Sequence, residues 1–272
     1  MSRIGRDAKR SLISTGQKPW LLSPIDLQAV KAAGVTFVTS LLERVIEEKA
    51  LGAADQAVQI RKDIEELLGG SLALLKPGSE QAAELKKALI AKNMWSQYLE
   101  VGIGPDAEIF TKCQPMSSVG FGSHIGILPN SNWNNPEPEI VLIVSSSGEV
   151  VGATLGNDLN LRDYEGRSAL LLSKAKDNNA SGSVGPFIRL FDEDFTLNSI
   201  RKAHLSLRVI GEDNYLLEGF SSMSEISRHP LDLVDAAING YHQYPDGLAL
   251  FLGTFAFEKF GLSCDFVGHP IS

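Results

Sequence analysis

The stretch Asn134–Asp163 reads NNPEPEIVLIVSSSGEVVGATLGNDLNLRD, and it decides the fold of the chain around it. The apolar run Pro138–Val144 is followed by the turn-forming residues SSSG and by a second run with strand character, Glu149–Leu155. Two such runs joined by so short a connection predict an antiparallel hairpin.

The same hairpin is expected to bring three carboxylates together. Glu137 and Glu139 stand two residues apart, so their side chains project from one face of a strand. With Glu139 opposite Thr154 or Leu155, the return strand leads to Asp158. Three converging carboxylates repel one another unless a cation lies between them, and oxygen ligands suit Mg²⁺, Mn²⁺ or Ca²⁺. The alternative is two exposed charges on an edge strand and an ordinary turn aspartate.

Length and composition limit the classes of protein to which the chain can belong. The 272 residues are 43% hydrophobic and 21% charged, which is typical of one large or two smaller globular domains. A net charge of -8 without a dense Lys/Arg stripe disfavours nucleic acid as a partner. Two cysteines, Cys113 and Cys264, exclude a disulfide framework and fit a reducing compartment. No apolar run has the length of a membrane span, so a membrane partner is not expected.

The chain before residue 96 is predicted to be a flexible tail over 1–20 and a helical segment over 21–95. The tail carries five basic residues and one acidic residue, and a mitochondrial transit peptide is the alternative interpretation. Apolar residues recur at helical spacing after Val35 and again after Ala57, and Ser79 can cap a third helix. The charged residues of this segment, Arg44 among them, are interpreted as solvated faces.

Glycine becomes frequent after Trp95, and the apolar runs shorten to strand length. One more helix, broken at Pro230, is predicted over Ser224–His242. These elements predict an α+β protein whose strands form a barrel or sandwich. Strands are predicted at Glu108–Lys112, Ile125–Leu128, Ile140–Val144, Glu149–Leu155, Phe187–Leu190, His204–Ile210, Asn214–Phe220 and Leu248–Gly253.

Six motifs in fixed order carry a resemblance to a known family. They are EIFTKCQPMSSVG, NPEPE, GNDLNLRD, KAKDNNASGSVGP, GFSSM and DGLALFLGT, and similar runs cover most of residues 22–255. The set resembles the fumarylacetoacetate hydrolase superfamily and, within it, the 2-keto-3-deoxy-pentonate dehydratases. The resemblance implies a rolled, mixed β-sheet barrel over 96–272 with a divalent cation at its mouth. Relatives have an extra N-terminal domain and further C-terminal strands, so the chain is expected to be truncated at both ends.

The resemblance also implies roles for individual residues. The metal ligands of the family match Glu137, Glu139 and Asp158, which are the three carboxylates that the hairpin brings together. Glu108 matches an acid/base residue, and Lys176 matches a lysine that offsets enolate charge or fixes the substrate carboxylate.

Further residues are expected around the substrate. Thr254 matches a threonine that contacts the substrate carboxylate, and Ser118 and Arg162 are expected to line the site. Structural support is the alternative for Arg162. Glu100 is the alternative base to Glu108.

The resemblance implies Mg²⁺-dependent dehydration of a xylonate- or arabinonate-type 2-keto-3-deoxy-pentonate to 2,5-dioxopentanoate through a metal-stabilised enolate, in cytoplasmic pentose degradation. Mn²⁺ or Ca²⁺ are alternative cations, and a homodimer or other homo-oligomer is implied. Hydrolase members carry a His/Glu pair early in the domain, but residues 97–100 read QYLE without a histidine, which disfavours hydrolysis. Diketone hydrolysis, oxaloacetate decarboxylation and an inactive remnant are the alternatives.

Overall fold

A computed structural model describes residues 21–37, 41, 44–46, 62, 75–211, 213 and 215–254. These residues form a mixed α/β structure dominated by one sheet. The strands are β1 (Ala29–Gly34), β2 (Glu108–Cys113), β3 (Asn134–Asn135), β4 (Pro138–Val144), β5 (Val150–Asp158), β6 (Asn160–Leu161), β7 (Gly182–Leu190), β8 (His204–Ile210), β9 (Leu216–Ser222) and β10 (Leu248–Phe251). The helices are α1 (Glu80–Ala91), α2 (Gln97–Ile103), α3 (Arg162–Glu165), α4 (Leu172–Lys176), α5 (Leu197–Arg201) and α6 (Pro230–Ala237).

The main sheet has the strand order β2-β1-β10-β4-β5-β7. Its neighbours are antiparallel except β1 and β10, which run parallel. The strands β3 and β6 form one small antiparallel pair, and β8 and β9 form another. The mixed sheet confirms the predicted fold class.

Both faces of the sheet are buried at its centre. Leu142 of β4 and Leu248 of β10 pack into one apolar cluster, while Val141 and Phe251 of the same two strands pack into the other. Successive side chains of a strand point to opposite faces, so a strand covered on both sides is apolar throughout. The run LALF of β10 is fully buried for this reason.

The predicted helical segment over 21–95 is wrong at its start. Ala29–Gly34 forms β1, which lies between β2 and β10 in the main sheet. The predicted domain boundary near residue 95 therefore does not separate helices from strands. Residues 41 and 44–46 are helical, and the Ser79 hydroxyl accepts a hydrogen bond from the Ala82 amide at 3.2 Å, as predicted for the helix cap.

The strands and the helix predicted after residue 95 are present with two exceptions, whereas the helices α2 to α5 and the short strands β3 and β6 were not predicted. Ile125–Leu128 is not a strand, and the helix predicted over Ser224–His242 is reduced to α6 and a short turn before it. The 1–20 tail, the second predicted helix apart from residue 62, which is helical, and everything after Thr254, Cys264 included, lie outside the described residues. Among the helices that the structure describes, none combines the length and the apolar character needed to cross a membrane.

Candidate metal and substrate site

The β4–β5 hairpin contains an irregularity in its pairing. Val144 pairs with Val150, whereas Ile143 pairs with Gly152, so Val151 has no partner in the register. A β-bulge of this kind places one extra residue on one strand and shifts every later pair by one position.

This shift decides which side chains face one another. Glu139 lies opposite Gly156, so the predicted partners Thr154 and Leu155 are wrong. The Asp158 amide donates a hydrogen bond to the Glu137 carbonyl at 2.8 Å, which sets these two residues opposite each other. A one-residue slip moves side chains to the other face of a sheet. Without the bulge, residue 157 rather than 158 would stand opposite residue 137.

Glu137, Glu139 and Asp158 form the candidate metal site. Each carboxylate offers an oxygen atom that lies within 4.8 Å of the oxygens of the other two. All three side chains are buried. The Gly253 amide, just after β10, donates to Glu139 Oε2 at 2.6 Å. The predicted convergence of the three acids on one side of the sheet is therefore present.

Two buried lysines offset part of this negative charge. Lys176, at the end of α4, donates to Glu137 Oε2 and to Asp158 Oδ2, the latter at 3.0 Å. Lys112 of β2 pairs with Asp158 Oδ1 at 3.0 Å. Lys176 was expected in the site, whereas Lys112 was missed. Its place in the motif EIFTK, four residues after Glu108, could have indicated it.

The electrostatics of the three acids favour the arrival of a further cation. Burial raises the pKa of Glu137, and burial together with Asp158 and Glu137 raises the pKa of Glu139 well above its usual value. Burial alone would lower the pKa of Lys176, but Asp158 and Glu137 raise it above its ordinary value. Three buried carboxylate oxygens suit a hard divalent cation such as Mg²⁺, which supplies the missing positive charge. The residues present therefore fit the expected ion.

Glu108 lies on β2 in the same electrostatic environment. Burial, then the charge of Glu165, raise the pKa of Glu108 to about 7, against the opposing effects of Lys176 and Arg44. A carboxyl group with a pKa near neutrality is suited to accept and return a proton. Glu108 is therefore the better placed of the two predicted bases.

The structure does not bring Glu100 or Ser118 to the three acids. Glu100 pairs with Lys86 at 2.5 Å, and its side chain is 43% exposed. The hydroxyl of Ser118 is buried and shares a hydrogen bond with the Ser23 hydroxyl at 2.8 Å. Among the described residues, these contacts lead to Lys86 and Ser23 and not to the three acids, so the roles of Glu100 and Ser118 stay predictions. The sequence alone could not show which neighbours the side chains of Glu100 and Ser118 contact.

Thr254 and Arg162 lie closer to the site. The Thr254 hydroxyl donates to the carbonyl of Pro138, which stands between the two glutamates, at 3.0 Å. The buried Arg162 donates to Glu165 Oε2 at 3.1 Å, and its guanidinium lies 5.7 Å from the centre of the Trp133 ring. The Arg162–Glu165 contact fits the structural-support interpretation.

A polar network links Glu165 to the metal site. Asn160 Nδ2 donates to Glu165 Oε2 at 2.5 Å and to Glu137 Oε1 at 3.2 Å. Arg44 lies 3.3 Å from Glu165 Oε2 and 3.8 Å from Glu137 Oε1. Arg44 was interpreted as part of a solvated face, and its side chain is only 17% exposed. Helical periodicity shows that a charged face exists but does not show what packs against it.

Comparisons with known proteins agree with the fold and with the resemblance. No protein-family model matches the chain. The 2-dehydro-3-deoxy-D-arabinonate dehydratase of Saccharolobus solfataricus is 29% identical over 147 residues, 54% of this chain and 48% of that protein. A Haloferax volcanii protein named "Probable 2-keto-3-deoxyxylonate dehydratase" is 27% identical over 232 residues, 84% of this chain and 76% of that protein. The chain thus spans about half the length of the first relative and three quarters of the second.

Solved structures show the fold. An apo 2-keto-3-deoxy-D-arabinonate dehydratase superposes with a TM-score of 0.64 at 22% identity, covering 90% of this chain and 69% of that one. The same enzyme complexed with magnesium and 2,5-dioxopentanoate gives a TM-score of 0.63 at 22% identity, with the same coverage. The chain therefore has the fold of this dehydratase, and the expected resemblance to sugar-acid dehydratases, which are hydro-lyases, is confirmed.

Proposed function

We propose that the protein dehydrates a 2-keto-3-deoxy-pentonate to 2,5-dioxopentanoate with the help of Mg²⁺. The observation that carries the proposal is the buried cluster of Glu137, Glu139 and Asp158 beside a carboxyl group, Glu108, with a pKa of about 7. The fold supports it, because a solved protein of this fold holds magnesium and 2,5-dioxopentanoate.

The three acids of the candidate metal site would hold the cation. When bound there, Mg²⁺ supplies Lewis-acid polarisation of an adjacent ketone. Lys176 contacts Glu137 and Asp158, so its ammonium lies where it can offset negative charge on a keto acid bound beside them. Thr254 would donate its hydroxyl to a substrate carboxylate oxygen in exchange for the Pro138 carbonyl. Arg162 holds Glu165 in place beside the substrate.

Glu108 moves the proton in this proposal. Its carboxylate takes a proton from C3 of the substrate, next to the ketone, and then gives it to the C4 hydroxyl, which leaves as water. The resulting unsaturated keto acid tautomerises to 2,5-dioxopentanoate. A pKa of about 7 keeps both the proton-accepting and the proton-donating form populated at neutral pH.

The direct test compares two glutamines placed in the same hairpin. Glu139→Gln removes one buried carboxylate of the site, and Glu149→Gln changes an exposed glutamate at the turn. Turnover of 2-keto-3-deoxy-xylonate should depend on Mg²⁺, fall by about 100-fold or more in Glu139→Gln, and stay unchanged in Glu149→Gln. Wild-type turnover by Glu139→Gln, or full turnover in the presence of a chelator, would overturn the metal assignment.

A substrate panel distinguishes the reaction from its alternatives. Formation of pyruvate from oxaloacetate or from an acylpyruvate, without 2,5-dioxopentanoate from the sugar acid, would replace dehydration by decarboxylation or hydrolysis. Thermal unfolding tests the inactive alternative, since an ion that binds only the native state raises its stability. We expect Mg²⁺ to raise the Tm. No change at saturating Mg²⁺ would favour an inactive remnant.

We also propose that the protein is a homo-oligomer. Large apolar side chains are exposed on the neighbouring strands β5 and β7, with Leu155 at 52%, Phe187 at 67% and Leu190 at 59% exposure. Surface of this kind commonly marks a protein contact. Light scattering at micromolar concentration measures the mass directly, and a monomer would contradict the proposal.

A further inference from the structure

Lys112 is a charged residue whose side chain has no exposed surface. It lies on β2 with Glu108 and Phe110, at a β-bulge where Val30 pairs with Cys113 and Lys31 pairs with Thr111, so that Lys112 has no partner in the register of β1. The ring of Phe110 lies 5.4 Å from the ammonium of Lys176. The strand β2 therefore presents a proton-accepting group, a ring and a buried cation to the candidate metal site. A buried ammonium is unfavourable unless it is paired and fully hydrogen-bonded.

The polar partners of Lys112 among the described residues come from the segment that carries Asp158 and from the segment that begins with Lys176. Its ammonium pairs with Asp158 Oδ1 at 3.0 Å and donates to the next carbonyl, that of Leu159, at 2.9 Å. It also donates to the carbonyl of Lys176 at 2.5 Å and to the Ser181 hydroxyl at 3.2 Å. One side chain thus fixes the end of β5 and the end of α4 relative to each other.

Lys176 and Lys112 contact different oxygen atoms of the Asp158 carboxylate. Lys176 donates a hydrogen bond to Oδ2 at 3.0 Å, whereas Lys112 forms an ion pair with Oδ1 at 3.0 Å without hydrogen-bond geometry. We propose that Lys112 is a positioning residue for cation binding. It sets the orientation of the Asp158 carboxylate, and through the Lys176 carbonyl it sets the end of the helix that carries the second lysine. The proposal rests on the metal site proposed above.

The direction in which one substitution changes the Mg²⁺ affinity distinguishes a positioning role of Lys112 from an effect of its charge. Lys112→Met removes a positive charge next to a carboxylate, and by Coulomb's law alone this tightens the binding of a cation. Loss of orientation acts in the opposite direction, since removing a residue that supports a metal ligand typically weakens affinity by about 10–100-fold. A weaker Mg²⁺ affinity therefore cannot come from the lost charge.

Isothermal titration calorimetry, with Mg²⁺ added to the metal-free protein, measures this affinity. We expect an affinity about 10-fold or more lower in Lys112→Met, with an altered Mn²⁺ electron paramagnetic resonance spectrum. Lys31→Met is the matched control. This lysine lies on the neighbouring strand β1, donates to Thr111 at 2.7 Å, and has no contact with the three acids among the described residues.

The remaining outcomes are also decisive. Equal or tighter Mg²⁺ binding by folded Lys112→Met overturns the positioning role and leaves the proposed function intact. Absence of Mg²⁺ binding by the wild type overturns both. Circular dichroism and Tm verify folding, and if Lys112→Met does not fold, Lys112→Gln keeps a donor for the two carbonyls and is judged by the same criterion.

Discussion

The Glu108 carboxylate occupies the space that a side chain at position 34 would fill. A Cβ atom built on Gly34 would lie 1.9 Å from Glu108 Oε2. The two residues face each other across β1 and β2. Glycine at position 34 therefore leaves room for the carboxylate that we propose as the base.

Substitution of this glycine should displace the base without disturbing the metal ligands. In Gly34→Ala the methyl group collides with the end of a flexible side chain, so Glu108 rotates away and the fold is kept. We expect turnover to fall about 100-fold, the usual range for loss of a general base, while the Mg²⁺ affinity stays unchanged. Steady-state kinetics and titration calorimetry measure the two quantities.

The control for this substitution is Gly240→Ala. A Cβ atom there meets nothing within 4 Å, so activity should stay at the wild-type level. Wild-type turnover by Gly34→Ala would mean that the position of the Glu108 carboxylate is not important for the reaction.

The pH dependence of activity should report the same carboxyl group. Burial, followed by Glu165, raises the pKa of Glu108 to about 7, and a base acts only when deprotonated. We expect kcat/KM to fall tenfold per unit below about pH 7 and to level off above it. Glu100→Gln should keep this profile, since Glu100 pairs with Lys86 instead. Loss of the profile in Glu100→Gln would make Glu100 the base.

The hairpin and its three acids could be predicted because the signals are local. Alternation, a turn sequence and the spacing of Glu137 and Glu139 all lie within thirty residues of chain. The register could not be predicted, because the bulge at Val151 forms where β5 pairs with both β4 and β7. The bulge accounts for the one-residue difference between the predicted partner Leu155 and the observed partner Gly156 of Glu139.

Residues far apart in sequence were harder to assign. The strand β1 has the sequence AVKAAG, whose alanines fit a helix as well as a buried strand, and only its neighbours β2 and β10 decide the outcome. Arg44 and Lys112 reach the site from segments before it, and charge alone does not distinguish a buried contact from a solvated one. Tertiary packing determines the conformation of β1 and the burial of these two charged side chains.

The raised pKa of Glu108 should also appear in the stability of the metal-free protein. A carboxyl group whose folded-state pKa is above its unfolded value of about 4.5 contributes stability that is fully present below pH 4.5 and is lost as the pH rises through 7. Glu108→Gln cannot ionise, so it should be more stable than the wild type at pH 8 by on the order of 3 kcal/mol.

Urea unfolding with a chelator at about pH 4.5 and about pH 8 measures this difference. The advantage of Glu108→Gln should be small at the lower pH, and Glu100→Gln should show no such change. An equal gain in unfolding free energy at both pH values would contradict the raised pKa of Glu108.

Arg44 and Arg208 form ion pairs that differ in burial. The side chains of Arg44 and Glu165 are 17% and 13% exposed, whereas those of Arg208 and Glu218 are 64% and 59% exposed. Burial alone would raise the pKa of Glu165, but Arg44 and Lys176 lower it, so the Glu165 carboxylate stays ionised in the interior.

Loss of the Arg44 guanidinium should therefore cost more stability than loss of the Arg208 guanidinium. Breaking a buried pair costs about 3–5 kcal/mol, and because Glu165 keeps its contact with Arg162 we expect about 2 kcal/mol for Arg44→Met. The exposed pair is screened by water, so Arg208→Met should cost less than about 1 kcal/mol. Urea unfolding at neutral pH compares the two variants. Equal losses would mean that Arg44 does not stabilise Glu165 and that the network beside the metal site does not depend on it.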